Sequence, residues 1–129
     1  MKKKHSFLTK NIIIASDHAG FGLKELIKKK LENLGLNILD LGVDNKKVSV
    51  DYPTYAKKLS KKINSKNMGI LICGSGIGMS IASNRFKNVR SALVNSSTLS
   101  KLSRKHNNAN IVCLAARFVS KKVAIQCIL

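Results

Sequence analysis

Apolar positions along the chain switch repeatedly between unbroken runs and helical spacing. Ile12-Ile13-Ile14-Ala15-Ser16 is a β-branched apolar run of the kind that forms a strand covered on both faces. Asp17-His18-Ala19-Gly20 breaks it as a loop. From Phe21 to Leu34 the apolar residues recur at Leu23, Leu26, Ile27, Leu31 and Leu34, a helical period, and Gly35 closes the helix. Asn37 to Gly42 reads as a second short strand, and Val43 to Asp51 as a polar connection. Tyr52-Pro53 opens a helix to about Ile63, with the only proline of the chain in its first turn. Met68 to Cys73 is a third strand and Gly78 to Phe86 a short helix. Val89 to Val94 is a fourth strand, and Asn95-Ser96-Ser97 supplies capping residues for a helix from about Thr98 to Lys105. Asn110 to Ala116 is a fifth strand and Val119 to Leu129 a last helix.

Strand and helix thus alternate five times with short connections. That order predicts an α/β fold: a three-layer α/β/α sandwich around a five-stranded, parallel, Rossmann-like sheet. Residues 1–129 are expected to form one domain, whose first ten residues are a basic N-terminal tail. In such sheets ligands bind outside the carboxyl ends of the strands. The residues there are Asp17 and His18 after strand one, Asp44, Asp51 and Tyr52 after strand two, Cys73 and a glycine loop after strand three, and Arg117 after strand five. His106-Asn107 ends the fourth helix, which places it at the opposite end from those loops in a regular sheet unless a partner chain brings it back.

Composition changes this picture in only a few respects. No apolar run is long enough to span a membrane. The lysines at 2–4 suit a signal peptide, but the apolar run at 12–15 is too short for one, so the chain is expected to be cytoplasmic. Three cysteines without a Cys-x-x-Cys pair argue against a disulfide framework and a cysteine zinc site. The formal net charge is +18, from 24 Lys and Arg against 6 Asp and Glu. Most of these cations are lysines spread over the predicted helices, with neither an arginine-rich arm nor an aromatic-interleaved basic strand. The expectation is a basic surface around a pocket for an anionic metabolite, with nucleic acid disfavoured as partner.

Candidate chemistry gathers at Cys73-Gly74-Ser75-Gly76-Ile77-Gly78-Met79-Ser80. A thiol beside a glycine turn and a helix start is a setting in which cysteine serves as base or nucleophile. Backbone N–H groups of the turn suit an oxyanion. The spacing is neither Gly-x-Gly-x-x-Gly nor a Walker loop with its lysine, which argues against dinucleotides and nucleoside triphosphates. Histidine and aspartate next door supply proton transfer, and arginine suits a phosphate. Each residue also has a plainer use: Cys73 as a small buried hydrophobe, Asp17 and His18 in capping or packing, Tyr52 in packing, His106 at the negative end of a helix dipole, Arg117 as surface charge.

These stretches taken together resemble the type B ribose-5-phosphate isomerases and the related galactose-6-phosphate isomerase subunits. The resemblance rests on Ser16-Asp17-His18-Ala19-Gly20-Phe21, on Asp51-Tyr52-Pro53 with Tyr55-Ala56, and on Gly69 through Gly78. It continues through Ile81-Ala82-Ser83-Asn84-Arg85-Phe86, Leu102 through Asn107, and Ala109-Asn110. It implies interconversion of ribose 5-phosphate and ribulose 5-phosphate without metal or organic cofactor, in a homodimer or tetramer whose sites are shared between subunits. Carried over, Cys73 is the base moving a proton between C1 and C2. Ser75 and the backbone of Gly74, Gly76, Gly78 and Ser80 hold the enediolate oxygens. His106 opens the furanose ring, with Asp17 near the ring oxygen. His18 and Tyr52 line the sugar or phosphate end, Asn107 meets a sugar hydroxyl, and Arg117 helps to bind phosphate.

The chain departs from this pattern in two places. Ser75 stands where many relatives have threonine, which keeps the hydroxyl. The arginine-bearing segment that relatives carry beyond the last helix does not follow Leu129 in this sequence. The expectation is a weakened phosphate grip, with Lys101, Lys105, Lys121 and Lys122 as candidate replacements. Two other readings stand beside the pentose enzyme: an isomerase for a hexose 6-phosphate, and an impaired relative that binds a phosphosugar or nucleic acid.

Overall fold

The computed structural model describes residues 11–45 and 49–128, so the basic stretch 1–10, Lys46-Lys47-Val48 and Leu129 lie outside the described residues. The elements follow one another as β1 (Asn11–Ser16), α1 (Phe21–Asn33), β2 (Ile38–Asp40), α2 (Tyr52–Ser60) and β3 (Asn67–Cys73). They continue as α3 (Ile77–Ser83), β4 (Ser91–Leu93), α4 (Ser97–Asn107), β5 (Ile111–Ala115) and α5 (Lys121–Ile128). All strand pairings are parallel, and the order across the sheet is β2-β1-β3-β5-β4.

Alternation along the strands divides the interior in two. Ile12 and Ile14 of β1 and Ile70 and Ile72 of β3 face a layer built from Leu23, Ile27 and Leu31 of α1 and Ala124, Cys127 and Ile128 of α5. Ile13, Ala15, Leu71 and Cys73 face the other layer, where Ala56 and Leu59 of α2 and Met79 of α3 close over them. Each large aliphatic side chain so buried contributes about 1.5–3 kcal/mol. The expected three-layer arrangement is therefore the observed one. Strand order also creates the crevice: from β1 the chain moves outward to β2, and from β3 it moves the other way towards β4, with α1 and α3 on opposite faces. The loops after β1 and β3 part company there, at a topological switch point.

The element ends differ from the sequence reading by a few residues. α2 stops at Ser60, where Asn88 donates to the carbonyls of Ser60 and Ile63 and turns the chain. β4 is only three residues, because an edge strand has a single neighbour to define it. α4 starts at Ser97 with Ser96 Oγ accepting from Leu99 N (3.2 Å), and runs on to Asn107. Gly35 takes the left-handed conformation expected after α1 (φ 84°).

The one misreading of consequence is in α1. Its periodicity predicts Leu26 and Leu34 inside, yet they stay 37 % and 49 % exposed, while Lys24 is completely buried. Lys24 Nζ donates to Asp40 Oδ2 (2.6 Å) and Glu25 Oε2 (2.7 Å), and Lys28 reaches the same Asp40 oxygen (3.2 Å). Asp40 Oδ1 accepts from Gly42 N (2.9 Å). A buried ammonium is tolerable only when paired and hydrogen-bonded, and the end of β2 supplies the partner.

Burial pushes the Asp40 carboxyl up, but the donors Lys24, Gly42 N–H and Lys28 outweigh it and hold it below its ordinary value. A carboxylate depressed in the folded state stabilises the fold above its unfolded value, and that stability is lost as pH falls through the folded one. Asp40→Asn is therefore expected to lower the stability at pH 7 by about 2 kcal/mol, less than for a fully sealed pair because Glu25 remains and Asp40 is partly exposed. Urea unfolding at several pH values checks this: the wild type loses the Asp40 contribution only below about pH 4, and the variant shows no such component.

Candidate active site

The site is assembled around the turn that joins β3 to α3. β3 delivers Cys73 at its end, paired with Ala115 of β5, and 5 % exposed. The chain then reverses through Gly74-Ser75-Gly76. Gly76 adopts φ 75°, a left-handed conformation that a side chain strains, and a Cβ there would lie 2.5 Å from Leu93 Cδ1 and 3.1 Å from the Leu114 carbonyl carbon. This geometry turns Gly76 N–H back onto Cys73 Sγ at 3.1 Å. Ser75 Oγ accepts from Ile77 N (3.2 Å), which fixes the hydroxyl at the rim of the turn. Ser80, in the first turn of α3, gives its N–H to the Gly76 carbonyl (3.0 Å).

Neighbouring loops close in because the turn has no side chains to keep them away. A Cβ on Gly78 would be 2.5 Å from Tyr52 Cζ, so the Tyr52 ring rests against the start of α3. A Cβ on Gly74 would be 3.1 Å from Arg117 Nη1, which places the guanidinium beside the same turn, and Arg117 N donates to the Gly74 carbonyl (3.0 Å). Among the described residues no carboxylate pairs with Arg117. From β1, Asp17 N donates to the Ile72 carbonyl (3.2 Å), and buried Asp17 Oδ1 accepts from Gly20 N (3.0 Å). His18 Nδ1 accepts from Val50 N (3.1 Å).

The structure thus brings together Asp17, His18, Tyr52, Cys73, Gly74, Ser75, Gly76, Gly78, Ser80 and Arg117. It does not bring His106 and Asn107 to them. Both end α4 on the other edge of the sheet, where Arg90 Nε, just before β4, donates to the Asn107 carbonyl (2.7 Å). Two features escape the sequence: the buried Lys24–Asp40 pair and the His18–Val50 contact, each between residues far apart in the chain.

The three thiols are not equivalent. Cys113, on β5 and on the same face as Cys73, is wholly buried with Ser91 Oγ 3.0 Å away. Burial pushes its thiol up to about 12, against partial opposition from Ser91, so it stays protonated. Burial raises Cys127 as well. Among the described residues no three His, Cys, Asp or Glu side chains are grouped to hold a metal ion. No described helix is long and apolar enough to cross a membrane.

The sequence profile of the Ribose/Galactose Isomerase family matches residues 12–129. This chain belongs to that family. Ribose-5-phosphate isomerase B of Escherichia coli is 35 % identical over 117 residues, which cover 89 % of this chain and 78 % of the relative. The ribose 5-phosphate isomerase of Thermotoga maritima superposes with a TM-score of 0.89 at 45 % identity, over 92 % of this chain and 83 % of that one. Ribose-5-phosphate isomerase B of Mycoplasma genitalium, solved with bound ribulose-5-phosphate, superposes with a TM-score of 0.85 at 41 % identity, over 94 % and 82 %. The matched part of this chain spans 78 %, 83 % and 82 % of the lengths of these three relatives.

The turn's geometry makes a direct test of its construction. Gly76→Ala is expected to cost about 2–3 kcal/mol, combining left-handed strain with the clash against Leu93 and Leu114. Chemical denaturation measures it, and a cost below about 0.5 kcal/mol would contradict the turn described.

Proposed function

We propose that the protein interconverts ribose 5-phosphate and ribulose 5-phosphate. The observation that carries this reading is Cys73 Sγ accepting the Gly76 N–H in a glycine turn, beside the Asp17-His18 loop. The M. genitalium relative with ribulose-5-phosphate bound supports the pentose over a hexose substrate.

In the open-chain aldose, Cys73 as thiolate takes the proton from C2, and the electron pair moves to give a C1–C2 enediolate. The same sulfur returns the proton to C1, while the hydroxyl proton passes from O2 to O1, leaving the ketone at C2. Ser75 and the turn's remaining N–H groups hold the developing oxyanion, since those of Gly76, Ile77 and Ser80 are engaged by Cys73 Sγ, Ser75 Oγ and the Gly76 carbonyl. The arrangement is fixed before reaction and therefore strongest where charge appears. Asp17 lies near the ring oxygen, His18 and Tyr52 line the sugar or phosphate end, and Arg117 contributes positive charge to the phosphate. No cofactor enters these steps.

His106 as the ring-opening acid and Asn107 as a hydroxyl ligand require a second chain, since within one chain they stand at the other edge. The reading is therefore a homodimer, alone or paired into a tetramer, with each site shared. Exposed apolar side chains around the edge strand support it: Leu93 on β4, Ile77 and Ile81 on α3 (Ile81 64 % exposed), and Leu99 and Leu102 on α4. An uncovered strand edge with such flanks is a surface that proteins ordinarily cover. A cytoplasmic place in pentose phosphate metabolism belongs to the same proposal.

Cys73→Ser keeps an acceptor for Gly76 N–H but offers a far weaker acid. It is expected to lower kcat at least ~100-fold with KM little changed, as for loss of a general base. Assay of ribose 5-phosphate conversion, with solvent deuterium incorporation at C1 as a second readout, checks it; undiminished turnover removes Cys73 from the mechanism. Mixing Cys73→Ser with His106→Ala chains tests the shared site. Subunit exchange is expected to restore up to about a quarter of wild-type activity, because half of the sites in a mixed dimer are complete.

A further inference from the structure

His18 makes a contact that the isomerisation does not require. Its backbone is fixed by the short loop after β1, where Asp17 N–H reaches the Ile72 carbonyl and Phe21 N–H the His18 carbonyl (3.5 Å). Its ring accepts a hydrogen bond through Nδ1 from Val50 N, 32 residues away. Besides the bond from Thr54 N to the Asp51 carbonyl (3.3 Å), which belongs to the start of α2, this is the only hydrogen bond between segment 49–51 and the rest of the described residues. Val50 leads through Asp51, the N-cap of α2 in extended conformation, to Tyr52, whose ring occupies the space left by the missing Cβ of Gly78. One imidazole nitrogen therefore links the β1 loop to the approach to α2, and the tyrosine carries the link on to the Cys73 turn.

The contact also fixes the chemistry of the ring. A nitrogen that accepts a backbone N–H carries no proton, so in the neutral ring the proton is on Nε2. Nε2 has no hydrogen-bond partner among the described residues. In this form the free nitrogen is a donor, suited to a hydroxyl, ring or phosphate oxygen of the substrate, and it does not compete with Cys73 as a base.

We infer that His18 is a positioning residue as well as a ligand: through Nδ1 it latches Val50, sets Tyr52 against the glycine turn, and so shapes the wall of the sugar pocket. The functional half of this inference rests on the isomerase reading; the latch does not. Without the latch, the approach to α2 keeps no described hydrogen bond to the β1 loop, and Tyr52 loses its fixed seat. The loss falls on substrate binding rather than on proton transfer, because Cys73 and its turn are held by their own contacts.

Asparagine and glutamine separate the two nitrogens. His18→Asn places an amide oxygen near Nδ1 and retains an acceptor for Val50 N–H. His18→Gln places an amide donor near Nε2 and leaves Val50 unpaired. In the wild type, imidazole 15N NMR is expected to show Nδ1 unprotonated and Nε2 protonated, and the Val50 amide is expected to exchange slowly with solvent. Exchange is expected to stay slow in His18→Asn and to quicken at least ~10-fold in His18→Gln. With ribose 5-phosphate as substrate, His18→Gln is expected to raise KM about tenfold with kcat within about threefold. In a Tyr52→Ala background the same change is expected to add less than about twofold to KM, since its effect passes through Tyr52. Protonated Nδ1, equal Val50 exchange in both variants, or an equal KM factor in both backgrounds each overturns the inference. Absence of turnover by the wild type overturns the isomerase reading and leaves the NMR and exchange results to decide the latch.

Discussion

The hydrogen bond from Gly76 N–H to Cys73 Sγ depends on a turn that no side chain is allowed to enter. The left-handed Gly76 sends its N–H back to the sulfur, and its bare Cα lies against Leu93 and Leu114. The rest of the site follows from that bareness. Tyr52 fills the space over Gly78 and Arg117 the space over Gly74, so residues from α2 and from the end of β5 converge on one reversal of the chain. A methyl group at any of the three glycines would displace a different neighbour. The sheet adds the remaining requirement: the connections that leave the parallel strands β1 and β3 run to opposite sides, towards β2 and towards β4, and leave the crevice into which the Asp17-His18 loop and the turn both open.

Much of this was legible from residue order. The apolar runs at 12–16, 68–73 and 110–116, short and alternating with helical segments, read as buried parallel strands, and the glycine turn after Cys73 identifies itself by composition. Periodicity failed at Lys24 because it assumes that a lysine belongs outside, and only the position of Asp40 in three dimensions reverses that assumption. The His18–Val50 bond left no trace in the sequence for a related reason. A backbone N–H donor is supplied by nearly every residue, so nothing about the valine marks it as the partner. The order of the strands was likewise outside the reach of local pattern; β5 lies between β3 and β4 because of long-range pairing.

Cys73 and Cys113 show how the same group acquires different uses two residues apart along the face. Both sulfurs lie under the α2–α3 layer, and β3 and β5 are adjacent. Cys73 stands at the end of its strand, where the sheet gives way to the glycine turn and the Gly76 N–H. Cys113 is one step further in, beside the hydroxyls of Ser91 and Ser83, and burial outweighs them and keeps its proton on. Position along the strand, rather than residue type, decides which thiol is available to a substrate. The same logic separates Asp17, at a strand end, from the edge-bound His106 of α4, and it is why a single chain holds only part of the proposed machinery.

The Lys24–Asp40 pair constrains the history of the sequence as well as its fold. Replacing Asp40 alone leaves the enclosed Lys24 with only the exposed Glu25, and replacing Lys24 alone leaves Asp40 with Lys28 and the Gly42 N–H, whereas two apolar residues of similar size restore a satisfied interior. Descendants of this chain therefore reach an uncharged version of the contact by passing through a less stable intermediate, or by changing both positions nearly at once. Across a set of close homologues the two positions should vary together or not at all, while Leu26 and Leu34, equally helical and equally apolar, drift freely on the surface.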